Sequence, residues 1–202
     1  TRRWLTASDV HYVINQEYLD KIQRDKEVEG VYKANSLQQG FIVHALNQGE
    51  VDDAYRVQLI WEYHHEVNVA YLKEAWEHAK DRFSSLRLRF AWDEELVQII
   101  DYDSSLDWSY IDLSREDTEA QDRKLREIQE TDRLRGYDLQ AGKLFRVFFV
   151  KRAAKLYSCL FSNHHAILDG WSTPILMGHV HEIYLKLCDG KKITKTKDIS
   201  YA

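Results

Sequence analysis

Residues 163–172 read Asn-His-His-Ala-Ile-Leu-Asp-Gly-Trp-Ser, and this stretch holds the side chains best suited to moving a proton near neutral pH. His164 and His165 close an apolar run, Asp169 follows four residues after the second histidine, and Gly170 comes next. A helical pattern begins just afterwards. A loop between a strand and a helix displays side chains on a rigid base, where binding and catalytic groups collect. Asp169 is able to pair with a cation or a backbone donor, and Gly170 offers backbone freedom or close approach for a substrate. A histidine pair alone is more often a polar strand end than a centre of chemistry. A metal site is disfavoured: neighbouring side chains on an extended strand point to opposite faces, so they do not converge on one ion. No metal is expected.

Other conspicuous residues read as structural. His64 and His65 end a strand and fit a polar surface; Trp61 and Trp76 fit core positions by their periodicity. Cys159 lies mid-strand among apolar neighbours, where a buried thiol is inert. With Cys188 it makes two cysteines, too few for a disulfide framework. No secretory signal opens the chain, so a reducing, cytoplasmic setting is expected. The 202 residues carry 28 Lys and Arg against 33 Asp and Glu, without a basic block, which argues against nucleic acid. No apolar run approaches the roughly 20 residues of a membrane span. The length suits one domain, or one lobe of a larger one.

The elements around the histidines follow from periodicity and capping. Asn15 caps a short helix bearing Leu19 and Ile22, and a second helix starts at Ser36, with Leu37, Phe41, His44 and Ala45 as its stripe, and stops near Gly49. Residues 55–63 alternate as a strand. Asn68 caps a helix carrying Leu72, Ala75, Trp76 and Ala79. Two short strands, Leu86–Ala91 and Leu96–Ile100, flank an acidic turn. Ser114 and Asp117 resemble a capping box for a polar helix over about 115–135. Leu144–Val150 and Leu156–Ser162 read as a buried hairpin. A last helix, Thr173–Cys188, has Pro174 in its first turn and Gly190 after its end. Strands and helices mix without strict alternation, so the fold class is an α/β (α+β) sandwich, a mixed sheet with helices packed on it.

His-His-x-x-x-Asp-Gly followed by Trp-Ser resembles the signature of nonribosomal peptide synthetase condensation domains. Three further stretches agree in order: Tyr32…Ser36-Leu37-Gln38-Gln39-Gly40…His44; Ala75-Trp76…Arg82-Phe83-Ser84-Ser85-Leu86-Arg87…Phe90; and Tyr137-Asp138-Leu139…Gly142…Phe145-Arg146. Phe83 departs from the family's usual histidine, and Lys143 from its usual proline. The resemblance divides the chain into a carrier-to-condensation linker (1–30), the amino-terminal lobe of a condensation domain (31–189) and the start of the connection to a missing second lobe (190–202). It implies a chloramphenicol-acetyltransferase-like lobe. It also implies amide formation between a donor thioester and an acceptor α-amine, both delivered on the phosphopantetheine arms of peptidyl carrier proteins. The domain itself binds no cofactor, and an adjacent adenylation domain is a further partner.

Within that reading His165 matches the catalytic position, as general base or as orienter of the amine, and His164 is structural. Gly170 lets a backbone N–H approach an oxyanion. An ionised Asp169 between apolar elements needs a partner, and the resemblance supports an ion pair with Arg82 or Arg87. An isolated lobe lacks the second tunnel wall and is expected to be inactive. Relatives sharing the signature, an epimerization domain or an ester-forming acyltransferase, are alternatives, as is a non-catalytic carrier-docking module.

Overall fold

The structure, a computed structural model, describes residues 3–48 and 55–194. In chain order the elements are α1 (Gln16–Ile22), β1 (Val28–Lys33), α2 (Ser36–Gln48), β2 (Arg56–Tyr63), α3 (Val69–Arg82), a 3₁₀ turn (Ser84–Arg87) and β3 (Leu88–Ala91). There follow β4 (Val97–Asp101), β5 (Trp108–Asp112), α4 (Thr118–Arg135), β6 (Phe145–Ala153), β7 (Leu156–His164) and α5 (Ser172–Cys188). Among the described residues two sheets result. The smaller has the order β1-β4-β3, and the larger has the order β2-β7-β6-β5. The larger sheet is mixed, because β5 runs parallel to β6 while the other pairs are antiparallel.

Alternation along β7 decides the layering. Tyr157, Cys159 and Phe161 face a core shared with Trp76 and Leu72 of α3 and Val180 and Ile183 of α5, while Leu160 faces Ile128 of α4. The sheet is therefore covered on both sides, and β7 is buried from Tyr157 to Asn163, which accounts for apolar side chains on both of its faces, with Ser158, Ser162 and Asn163 buried among them. On the α4 side the strand residue Arg146 forms a buried ion pair with Asp132 (2.8 Å). Asn68 caps α3 through its side-chain oxygen, and Gly190 (φ 68°) ends α5 in the left-handed region. The α/β sandwich with a mixed sheet is the observed architecture.

Several expected details differ. The boundary at residue 30 falls inside β1, and the segment before it is packed, not loose. Leu5, Val10, Ile14, Tyr18 and Leu19 form a second core with Val28, Val97 and Ile99. On α2 the buried stripe is Gln38, Phe41 and Ile42, and Leu37 is exposed. Phe83 leads into a 3₁₀ turn, so the third strand begins only at Leu88. Asp117 alone caps α4, while Ser114 donates to Asp112 instead. β1 and β5 are strands beyond those that the sequence pattern predicts. Gly49 and residues 195–202 of the expected connection lie outside the described residues. Lys143 has φ 55°, a left-handed conformation closed to the proline ring that the family pattern places there.

Candidate active site

The two histidines stand where the central strand of the large sheet runs out. His164 N donates to Leu144 O (2.9 Å) on the β6 side, and His165 N donates to Tyr55 O (2.8 Å) on the β2 side. Neighbours on both flanks thus hold this backbone. The strand ends at His164, so strict alternation does not carry over to the next residue. Both rings come to Phe41 of α2: His165 stacks on it at 5.4 Å, and His164 meets it edge-on at 6.1 Å. Their local environments differ. His164 Nδ1 accepts from Ala166 N (3.0 Å), which puts the proton of a neutral ring on Nε2. His165 Nδ1 is enclosed without a hydrogen-bond partner among the described residues, leaving Nε2 as the nitrogen a ligand can reach.

His165 lines a cavity of about 410 Å³ between the start of α2, the 3₁₀ turn and the start of α5. Phe41, Phe83, Leu86, Ile167 and Leu176 supply apolar wall, and Gln38, Ser85 and Ser172 supply polar atoms. Asn35 and Gln38 cap α2 reciprocally: Gln38 N donates to Asn35 Oδ1 (2.8 Å), and Asn35 N donates to Gln38 Oε1 (2.9 Å). The Gln38 amide nitrogen then donates to Ala166 O (3.3 Å) and to Gln98 Oε1 (3.1 Å). A pocket of mixed polar and apolar lining with one reachable imidazole can hold an organic substrate and engage a proton on it.

Asp169 does not make the expected ion pair. Its side chain is exposed, and Oδ1 accepts from Ser172 N (2.7 Å), so it caps α5 from outside. That hydrogen bond holds its carboxyl below the usual aspartate range. Arg87 is buried elsewhere, donating to Glu29 Oε2 (2.7 Å) and Asp101 O (2.7 Å). Arg82 lies over the Phe83 ring at 5.6 Å and lines a separate cleft with His78, His179 and Glu182. A carboxylate that reaches water and a helix N-terminus needs no guanidinium, which is why the desolvation argument for a pair does not apply. Nor is Gly170 compelled to be glycine: a Cβ there meets nothing within 4 Å, and its φ is not left-handed. Cys159 is buried, and burial pushes its thiol pKa up, as suits an inert group. Sequence reasoning assigned no role to Gln38, although Asn35-x-x-Gln38 ahead of an apolar run is a legible capping signal.

A family profile described as "Condensation domain" matches residues 28–202, beginning at the first residue of β1. The N-(5-amino-5-carboxypentanoyl)-L-cysteinyl-D-valine synthase of Penicillium rubens is 40% identical over 181 residues, covering 89% of this chain and 5% of that protein. The enzyme of the same name from Amycolatopsis lactamdurans is 46% identical over 170 residues, covering 83% and 5%. The chain therefore spans only a small part of the curated relatives it matches. Among solved structures, the starter condensation domain of rhizomide synthetase RzmA superposes with a TM-score of 0.74 at 20% identity, over 82% of this chain and 41% of that one. The EpoB cyclization-docking bidomain from Sorangium cellulosum gives 0.70 at 17% identity, over 83% and 33%. At these identities the likeness is one of fold.

Proposed function

The chain belongs to the condensation-domain family, and from that premise we propose that it is the amino-terminal lobe of a peptide-bond-forming domain in a nonribosomal peptide synthetase. It works in the cytoplasm. Its substrates are a donor aminoacyl or peptidyl thioester and an acceptor α-amine, each delivered on the phosphopantetheine arm of a peptidyl carrier protein, with an adenylation domain as neighbour. The observation that carries the reading is His165, which lines a cavity of mixed polar and apolar character at the end of the central strand and has one accessible nitrogen. The names of the relatives, which describe synthases of a cysteinyl-valine peptide, support amide formation as the product chemistry.

In this reading the acceptor nitrogen adds its lone pair to the donor carbonyl carbon, and the carbonyl π pair moves to oxygen. The C–N bond is then complete; collapse of the tetrahedral adduct breaks the C–S bond. The thiol leaves with the proton that the amine gives up. A thioester is already activated, so the chain's task is mainly to orient the amine and manage that proton. His165 Nε2 is the group for this. It receives the amine N–H as a hydrogen bond, and takes the proton where the adduct requires it. The start of α5, just beyond Gly170, already carries the Asp169 carboxylate as its cap, so no oxyanion role is assigned to it.

Leu37, Trp171 and Ile175 lie exposed at or next to the cavity, a surface suited to cover by a second lobe. The 202-residue chain alone is accordingly inactive. A single-turnover assay with loaded donor and acceptor carriers tests the proposal. Amide product is expected from a two-lobed domain containing this chain, and none from residues 1–202. An ester or an epimerised thioester in place of the amide would assign the chain to a sister class, and turnover by the lobe alone would overturn the two-lobe reading.

A further inference from the structure

The site leaves one question of mechanics: what aims the His165 ring. Among the described residues no side-chain hydrogen bond does so, since Nδ1 is enclosed without a partner and Nε2 faces the cavity. Besides the longer-range pull of the Asp169 carboxylate, which sets no ring plane, two contacts remain among the described residues. One is the backbone bond from His165 N to Tyr55 O, and the other is the Phe41 ring beneath the imidazole. Phe41 comes from α2, so the position of α2 relative to the histidine loop sets the ring plane. One side chain ties those two pieces together. Gln38, three residues before Phe41 on the same buried face of α2, donates to Ala166 O, the carbonyl next to His165. Its second donor goes to Gln98 of β4, whose own amide nitrogen donates to Lys33 O (3.1 Å). Both glutamines are buried, so each of these bonds forms away from competing water, and breaking one leaves an unpaired polar group.

We infer that Gln38 is a positioning residue for His165: its amide holds the loop of the large sheet, the start of α2 and the small sheet in one register, so that Phe41 meets the imidazole face-on. The inference deepens the function proposed above and rests on it only for the turnover arm of its test.

The two ends of the side chain separate this role from simple stability. Oε1 serves the α2 cap, and Nε2 serves the clamp. Gln38→Glu keeps the cap acceptor, which glutamate supplies well at this helix position, but removes both clamp donors and turns an oxygen toward Ala166 O and Gln98 Oε1. Asn35→Ala does the reverse, weakening the cap and leaving the clamp intact. The first readout is proton NMR of the His165 ring in the 202-residue chain, assigned by the signals lost in His165→Ala. Wild type should show ring signals displaced by the Phe41 stack. Gln38→Glu should lose that displacement, and Asn35→Ala should keep it while melting at lower temperature. The second readout is steady-state turnover in a two-lobed domain. There Gln38→Glu should lower kcat by about 100-fold with KM little changed, the size expected for a misplaced reacting group. Should Gln38→Glu fail to fold, the uncharged Gln38→Met replaces it, with the same loss of ring displacement expected. Native His165 signals in either folded variant would overturn the inference, as would wild-type kcat in Gln38→Glu. Absent turnover in the wild type would instead remove the proposed function, while the ring signals still decide the role of Gln38.

Discussion

Asp169→Ala tests how the histidine loop is joined to α5. The carboxylate accepts from Ser172 N at 2.7 Å, and its backbone oxygen accepts from Thr173 Oγ1 at 3.1 Å. Alanine removes the first bond and keeps the second. The orphaned amide lies at an exposed helix start, where water replaces part of the loss, so the cost is that of a helix cap, about 1 kcal/mol. In a domain of this size that is a fall in Tm of roughly 2–4 °C. Asp169→Asn should melt close to wild type at neutral pH, since asparagine caps as well as aspartate. The pH dependence has a definite sign. The folded-state pKa is depressed, chiefly by the Ser172 hydrogen bonds, so the ionised group's stabilisation is fully present above the unfolded value of about 3.9 and is lost as pH falls through the folded value. Thermal melts of wild type and Asp169→Ala should therefore converge as the pH is taken below about 4. A loss of about 3–5 kcal/mol, with Asp169→Asn as damaging as Asp169→Ala, would mean a buried ion pair and refute the cap.

Other expectations follow from the same contacts. His164→Ala removes the acceptor of Ala166 N and ring contacts to Phe41, Tyr55 and Tyr137, and should cost about 1–3 kcal/mol in urea unfolding, whereas His165→Ala should abolish turnover with melting near wild type; the reverse would exchange the two roles. Asp132→Ala removes the 2.8 Å partner of the buried Arg146 guanidinium but leaves it Gly136 O, Asp107 at 3.7 Å and the Tyr137 face, and should cost about 1.5–3 kcal/mol, much of it recovered by Asp132→Leu with Arg146→Met; an undiminished loss in the double variant would count against the pair. Lys143→Gly should stabilise by about 1 kcal/mol and Lys143→Pro should destabilise, checked by calorimetry, because the backbone there is left-handed. In a thiol-titration assay Cys188 should react in the native chain and Cys159 only after denaturant is added; a fast native reaction at Cys159 would mean that β7 opens readily.

The parts legible in the sequence were those whose burial is one-sided and regular. The α3 stripe from Leu72 to Ala79, the β6–β7 hairpin and α5 with Pro174 and Gly190 all stand where their periodicity puts them. β5 escapes a sequence reading because it is a short edge strand, only half-buried, and its parallel pairing with β6 leaves no hairpin turn to announce it. β1 is hidden by its charged surroundings, although Val28 and Val31 are buried. The histidine signature points to the candidate site, but the ion pair expected for Asp169 is absent since exposure is a tertiary property: the same aspartate needs an arginine in an apolar interior and only a backbone amide at the surface. The clamp from Gln38 to Ala166 joins residues far apart in sequence, and no local pattern encodes such a contact.

The order of strands has a consequence for synthesis on the ribosome. β1, β3 and β4 lie within the first half of the chain, so the small sheet and its own core can close while translation continues. β2 cannot. Among the described residues its strand partners, from His164 opposite Arg56 to Tyr157 opposite Tyr63, all belong to β7. With about 100 intervening residues made at roughly 5–20 per second, β2 waits some 5–20 seconds for its neighbour, with Leu59 and Ile60 open to unwanted pairing. His164 closes the very strand that ends this wait, and His165 follows it. A nascent chain arrested before residue 156 would thus carry a finished small sheet, an unpaired strand prone to aggregation, and only the α2 and 3₁₀ walls of the pocket.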